Sequence, residues 1–293
     1  MKLSVFDTSR PWVDLPEGMT IGSDPEFMLF DISANMYVSA LDVLKNDKYS
    51  PIDLGNGIMM YADNVLVEFS FPPSNTVTGF IDTMRIAILA GAERLNRYGP
   101  LVLHPIASMD FHESQLQNPK AKEAGCSPNF DAWGSCVNMP PNLTGNRRTG
   151  SFHIHVGHPT LDTKPRKERM IKLLDRYLGM ASVLADKDPS SILRRKLYGK
   201  AGEFRPTPYG IEYRVLGPYF LRKPALVAGC MELMVMAFNA MDIPEPDELT
   251  IQGVDIETIK RCINQGNEEY AKESMVLVHS HHPNAAAMYN NWQ

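Results

Sequence analysis

Three short apolar runs in this chain each carry two polar, chemically capable side chains two residues apart: Asp24 and Glu26, His153 and His155, Glu212 and Arg214. Side chains alternate across a strand with a period of two, so each pair points to one face while its apolar neighbours point to the other. Phe27 and Leu29, then Phe152, Ile154 and Val156, then Ile211, Tyr213 and Val215 are free to bury themselves behind a sheet. The pattern demands a half-buried sheet, and it gathers carboxylates, imidazoles and a guanidinium on one face.

Around these runs the chain is α+β, with strands first and helices concentrated later. A strand is expected over residues 21–31 and another over 58–71, where Glu68 joins the polar face. Asp63 lies an odd number of residues before Glu68, so a regular strand turns the two apart unless a bulge or turn intervenes. Pro72 and Pro73 stop that strand, and a helix follows over 76–97 with Val77, Phe80, Ile81, Met84, Ile88, Ala92 and Leu95 on one face. Strands are expected over 101–108 and 151–157. Between them, 110–148 is rich in Pro, Asn and Gly, the composition of a long functional loop covering the site. Helices are expected over 166–186, 224–240 and 256–274. Arg166, Lys167, Glu168 and Arg169 form a solvated face of the first, and Met231, Met234 and Met236 fill core around the second. The whole is expected as a single domain over 1–293, strand-rich over 18–220 and helical over 221–293.

Composition narrows the class. With 293 residues, 44% hydrophobic and 22% charged, the chain has the make-up of an ordinary globular protein. A formal net charge of -5 argues against non-specific nucleic-acid binding, which needs a positive field. Cys126, Cys136, Cys230 and Cys262 show no C-x-x-C spacing and suit reduced thiols. No signal-like start and no apolar stretch near about 18 residues is visible, so a cytoplasmic protein with no membrane partner is expected.

Hard oxygen ligands suit Mg2+ or Mn2+, and a single imidazole is compatible with either. Arg194, Arg195, Arg205 and Arg214 add fork-shaped donors that match phosphate oxygens. Such a set suggests phosphoryl transfer from a nucleoside triphosphate.

The order of these motifs has a family resemblance. Gly22 to Asp31, GSDPEFMLFD, resembles the first catalytic strand of glutamine synthetase, and Asp63 to Pro73, DNVLVEFSFPP, its second acidic strand. Ser151 to Pro159, SFHIHVGHP, is similar to the H-x-H strand of glutamine synthetase and glutamate-cysteine ligases. Arg194 to Arg214, RRKLYGKAGEFRPTPYGIEYR, looks like their arginine-rich segment ending in E-x-R. Together they resemble the phage carboxylate-amine ligases of COOH-NH2 type 2, a branch of that superfamily. The resemblance implies a glutamine synthetase-like core, a curved, mainly antiparallel sheet with helices on its outer face. It implies an ATP-dependent ligase that joins a carboxylate to an amine through an acyl phosphate, releasing ADP and phosphate, with Mg2+ or Mn2+ as cofactor.

Carried over by position, the resemblance makes Asp24, His153 and Glu212 ligands of a metal beside the nucleotide phosphates. Glu26, Glu68 and Asp63 hold a second metal near the carboxylate substrate. Arg195, Arg205 and Arg214 contact the transferred phosphate, with Arg194 an alternative to its neighbour, and His155 approaches the nucleotide. Asp24 stands where glutamine synthetase carries a longer glutamate. About twenty residues precede the first motif, too few for that enzyme's N-terminal domain, so its ring assembly is not implied and a homo-oligomer stays open.

Other readings fit parts of the pattern. An H-x-H strand also binds zinc in hydrolases, although the chain lacks the βα alternation of the barrel hydrolases. A non-catalytic nucleotide-binding or interaction protein of the same fold is a further alternative. Among weaker features, Arg147 and Arg148 lie in a Gly145–Gly150 loop that suits a phosphate or an ordinary turn. Residues 126–133 form a lid segment in which Asp131 meets an amine, or a small loop core on Phe130 and Trp133. His279, His281 and His282 cluster near the C-terminus, and Asn142-Leu143-Thr144 matches a sequon without meaning in a cytoplasmic protein.

Overall fold

The computed structural model describes residues 12–123, 128–139, 145–245 and 247–273. The run expected as one strand over 21–31 is two. Pro25 has no N–H for a ladder, and the chain breaks there into β1 (Thr20–Gly22) and β2 (Glu26–Asp31). This break decides the architecture, because β1 joins one six-stranded sheet and β2 another. After β3 (Met36–Val38), α1 (Ala40–Leu44) and β4 (Ile52–Gly55), the run expected as one strand over 58–71 is a hairpin of β5 (Ile58–Asp63) and β6 (Leu66–Ser70). Asn64 turns it at φ +54, a left-handed conformation that asparagine tolerates, and its Nδ2 donates to the carbonyls of Lys120 and Glu123.

The helix expected over 76–97 is α2 (Val77–Leu95), whose first turn is closed by the Thr76 hydroxyl accepting from the Gly79 N–H at 3.1 Å. It lies on the second sheet, and Gly91 is the point of closest approach: a Cβ there would stand 2.4 Å from the Phe69 ring. The strand expected over 101–108 divides into β7 (Leu101–His104) and β8 (Ser108–Asp110). Within the long loop, β9 (Asn129–Asp131) and β10 (Cys136–Asn138) pair with each other, and β11 (Arg147–Thr149) pairs with β8. The described residues within 110–148 are therefore more ordered than a bare loop.

The histidine strand is β12 (Ile154–Gly157). A π-helical turn at Asp175–Gly179 interrupts the helix expected over 166–186, leaving α3 (Lys164–Leu174) and α4 (Met180–Ala185). Arg194 and Arg195 ride on α5 (Ser191–Leu197), ahead of the hairpin of β13 (Glu203–Thr207) and β14 (Gly210–Tyr213). The buried helix α6 (Pro224–Asn239), the short pair β15 (Thr250–Ile251) and β16 (Val254–Asp255), and α7 (Ile256–Gln265) follow. Gly266 at φ +64 caps α7 earlier than the expected 274, a left-handed C-terminal position that glycine takes without strain.

The first sheet runs β1-β12-β14-β13-β9-β10, and the second β3-β2-β6-β5-β4 with β7 also on β2. Every pairing in both is antiparallel. Helix α3 packs behind β13 and β14 of the first sheet, with α6 against α3, and Phe152, Ile154, Val156, Ile211, Tyr213 and Val215 are all buried, as the alternation requires. Each such side chain contributes about 1.5–3 kcal/mol on leaving water. The α+β class and the mainly antiparallel strands match the sequence reading; the single sheet face does not. Among the described residues no helix is long and apolar enough to cross a membrane.

Candidate functional site

Because Pro25 sends β1 and β2 into different sheets, Asp24 and Glu26 sit on either side of the seam between them. Three bonds stitch that seam: the Ser23 hydroxyl to the His153 carbonyl at 2.6 Å, Glu26 N–H to the Ser151 carbonyl at 3.0 Å, and Phe69 N–H to the Pro25 carbonyl at 3.2 Å. Each member of the pair then heads its own group.

On the first sheet, strand register lines up Gly22, His155, Glu212 and Arg205 across β1, β12, β14 and β13. Asp24 reaches into this row. Its Oδ1 lies 2.9 Å from His153 Nδ1 and 3.3 Å from His155 Nε2. Glu212 Oε1 is 3.4 Å from His153 Nδ1, and Oε2 is 4.0 Å from His155 Nε2. Burial by itself raises the pKa of Asp24, but the charges of His153 and His155, with the hydrogen bond to His153, hold the carboxyl far below the usual range. For His155, burial works against ionisation, and Asp24 and Glu212 outweigh it to raise the imidazole pKa.

Asp24, His155 and Glu212 each offer a ligand atom within 4.8 Å of the others, which brings His155 into the set beside the expected His153. His153 points Nδ1 at Asp24 and turns Nε2 to the Tyr198 hydroxyl at 3.3 Å. His155 Nε2 is out of contact with solvent and makes no hydrogen bond, although carboxylate oxygens surround it. A buried nitrogen left open among acidic oxygens suits a divalent cation.

The second group straddles the other sheet. Glu26 and Glu68 are directly opposite on β2 and β6, an unfavourable pairing for like charges. Asp63 joins them. The parity objection assumed one strand, but in the β5–β6 hairpin Asp63 pairs with Leu66, which shares a face with Glu68. One oxygen from each of Glu26, Asp63 and Glu68 falls within 4.8 Å of the others. Burial, with the charges of Asp63 and Asp24, pushes Glu26 well above its ordinary pKa. Glu68 rises likewise from burial and the charges of Asp24, Asp63 and Glu26, and burial raises Asp63. The Tyr61 hydroxyl donates to Glu68 Oε1 at 2.8 Å. Two buried acids and a half-buried one, all with raised pKa values, need protons or a cation, and an all-oxygen set suits Mg2+.

The arginines divide in a way the sequence did not indicate. Arg194 was expected as an alternative phosphate contact, but it is buried and donates to the carbonyls of Gly150, Val215 and Arg214 and to the Ser151 hydroxyl. It is a brace for the strand edges. Arg195 was expected at the phosphate too; the helical twist of α5 instead turns it toward α7, beside Gly266, with Asp186 and Cys262 among its neighbours. Arg214 is fully buried and donates from Nε to Glu212 Oε1 at 2.6 Å. Arg205 donates to Glu212 Oε2 at 3.1 Å and stays partly exposed, its Nε without a partner.

Beside the first group lies a cleft of about 440 Å³ with apolar walls from Ile21, Phe71, Pro73 and Tyr209 and with Asp24 and His155 at its edge. That size is in the range for small-molecule sites. Tyr61, Tyr198 and Tyr209 are the residues sequence reasoning missed. Nothing in their spacing links them to the acids or histidines; only the strand register and the turns do.

Of the weaker features, Arg147 forms a two-pronged pair with Asp110 at 2.9 and 2.6 Å, and Arg148 donates to the carbonyls of Ala121, Gly145 and Arg147. Neither faces either group. Asp131 accepts from the Trp133 N–H at 2.8 Å in a packed loop core. Cys126, the Asn142 sequon, and His279, His281 and His282 lie outside the described residues.

The fold and site define a class: an α+β protein with two antiparallel sheets and a carboxylate-rich, cation-competent centre at their junction. A sequence model of the family described as "Phage phiEco32-like COOH.NH2 ligase-type 2" matches residues 143–287. The match spans just under half of the chain, and over that part the chain is similar to those carboxylate-amine ligases, which its motifs also resemble. No curated protein sequence matches. The solved structure of a GmaS/ADP complex (conformation 1) is similar at 12% identity and a TM-score of 0.44, covering 94% of this chain and 67% of that one. A novel glutamine synthase homolog is similar at 11% identity and a TM-score of 0.38, covering 92% and 67%.

Proposed function

We propose that this protein is an ATP-dependent carboxylate-amine ligase that forms an amide through an acyl phosphate and releases ADP and phosphate. The observation that carries the reading is the pair of acidic groups at one seam: a mixed set of Asp24, His155 and Glu212 beside an all-carboxylate set of Glu26, Asp63 and Glu68. Cations held there would supply the positive charge that neutralises a triphosphate and a substrate carboxylate. The apolar cleft at Asp24 and His155 suits a nucleotide base. Glu212 is oriented by Arg214 from within the sheet, and Arg205, at the exposed end of the row, is the arginine suited to the transferred phosphate. A cytoplasmic setting, where ATP is abundant, goes with this reading.

The zinc hydrolase alternative needs both imidazoles at one ion. Among the described residues neither compact ligand set holds more than one, and His153 Nδ1 is engaged by Asp24. The test is ADP release with Mg2+ across a panel of acids and amines. Release that rises only when both partners are present, and disappears in Glu212→Gln, supports the ligase. Tightly bound zinc with ATP-independent hydrolysis would select the hydrolase, and ATP bound without turnover under all pairings would select a non-catalytic binder.

A further inference from the structure

Tyr209 occupies the turn between β13 and β14, where it touches both the cleft and the first ligand set. Its ring lines the cleft, and its hydroxyl oxygen lies 3.3 Å from His155 Nδ1. The turn is held tightly against β12. The Tyr209 carbonyl accepts from the His158 N–H at 3.1 Å, and a Cβ on the next residue, Gly210, would stand 2.1 Å from the Val156 carbonyl oxygen. Only glycine permits that approach, so the backbone that carries Tyr209 is fixed against β12.

The direction of this hydrogen bond matters. A neutral imidazole carries one proton. If Tyr209 donated to Nδ1, the proton would sit on Nε2, the nitrogen that faces Asp24 Oδ1 at 3.3 Å, and that nitrogen could not bind a cation there. Nε2 makes no hydrogen bond there. With the Tyr209 oxygen as acceptor, the proton stays on Nδ1 and the Nε2 lone pair faces Asp24 and Glu212. His153 differs. Its Nδ1 donates to Asp24, and its Nε2 accepts from Tyr198.

We infer that Tyr209 is a positioning residue that sets His155 as the cation ligand and couples occupation of the cleft to cation affinity. The inference rests on the reading of Asp24, His155 and Glu212 as a cation site. Because the same side chain lines the cleft and orients the imidazole, a ligand that holds the Tyr209 ring tightens cation binding, and a cation tightens that ligand by the same factor. Tyr198 meets the histidine outside the compact set and has no such effect.

The experiment is Mn2+ titration of the full chain, with and without adenosine, for wild type, Tyr209→Phe, Tyr198→Phe and Glu212→Gln, with thermal midpoints recorded in EDTA. Phenylalanine keeps the ring and removes the hydroxyl. The expected result is Mn2+ binding about tenfold weaker in Tyr209→Phe, within about threefold of wild type in Tyr198→Phe, and lost at this site in Glu212→Gln. Adenosine tightens Mn2+ binding in wild type and not in Tyr209→Phe, and the thermal midpoint of Tyr209→Phe is unchanged. Unaltered Mn2+ affinity in Tyr209→Phe, alongside loss in Glu212→Gln, would overturn the role of Tyr209 and leave the cation site standing. A wild type that binds no Mn2+, or a Glu212→Gln variant that binds it equally, would overturn the site itself.

Discussion

Glu68→Gln should stabilise the metal-free protein at alkaline pH and make it less stable than wild type when cations are supplied. Glu68 is opposite Glu26 and within 4.8 Å of oxygens from both Glu26 and Asp63. At that separation and an effective dielectric constant of about 20, one pair of full charges costs about 3.5 kcal/mol. Proton uptake relieves part of this, and glutamine still accepts the Tyr61 hydroxyl, so the net gain should be about 1–3 kcal/mol. For a chain of this length the midpoint should rise by about 2–6 °C. The sign with pH follows from the raised pKa values of Glu26, Asp63 and Glu68. A carboxyl whose folded pKa exceeds its unfolded value contributes its stability fully below the unfolded pKa and loses it as pH rises through the folded one. Thermal unfolding in EDTA should therefore show wild type falling behind the variant as pH rises above about 4.5, the ordinary glutamate value, and saturating Mg2+ should reverse the order. A variant less stable than wild type in EDTA at pH 8, or a wild type indifferent to Mg2+, would refute the reasoning.

Three further outcomes are expected. Arg214→Lys should cut ADP release at least about tenfold, measured by a coupled assay, because a point charge does not reproduce the buried Nε contact to Glu212. Asp175 accepts from the Trp133 indole, the Tyr213 hydroxyl and the Gly202 N–H, yet burial pushes it up to about 7. Its contribution is full near pH 4 and declines as pH rises through 7, so urea unfolding of Asp175→Asn should lose that part of the pH slope. Gly91→Ala, which drives a methyl into Phe69, should cost about 1–3 kcal/mol in the same assay.

The acids and histidines were legible because strand alternation exposes them in pairs, and their burying partners sit where the period requires. What the alternation did not reveal was where a strand stops. Pro25 splits 21–31 between two sheets, and Asn64 folds 58–71 into a hairpin, and these two breaks create the seam and bring Asp63 beside Glu68. Both punctuating residues were visible, but the choice between a break and a continuous strand depends on tertiary pairing. Arginine roles were less legible still. Arg194 and Arg195 are neighbours on one helix, and only its twist and packing separate a carbonyl brace from a contact with α7. The tyrosines carry no local signal, since each reaches its imidazole or carboxylate from another element.

The central claim, amide formation at the seam of the two sheets, is tested most directly by mass spectrometry of small molecules after incubating the protein with ATP, Mg2+ and a cell extract. The account predicts a product equal in mass to an acid plus an amine less one water, with one ADP formed per product, and neither formed by Glu212→Gln. ADP without any condensed product, or the same product from Glu212→Gln, would contradict it.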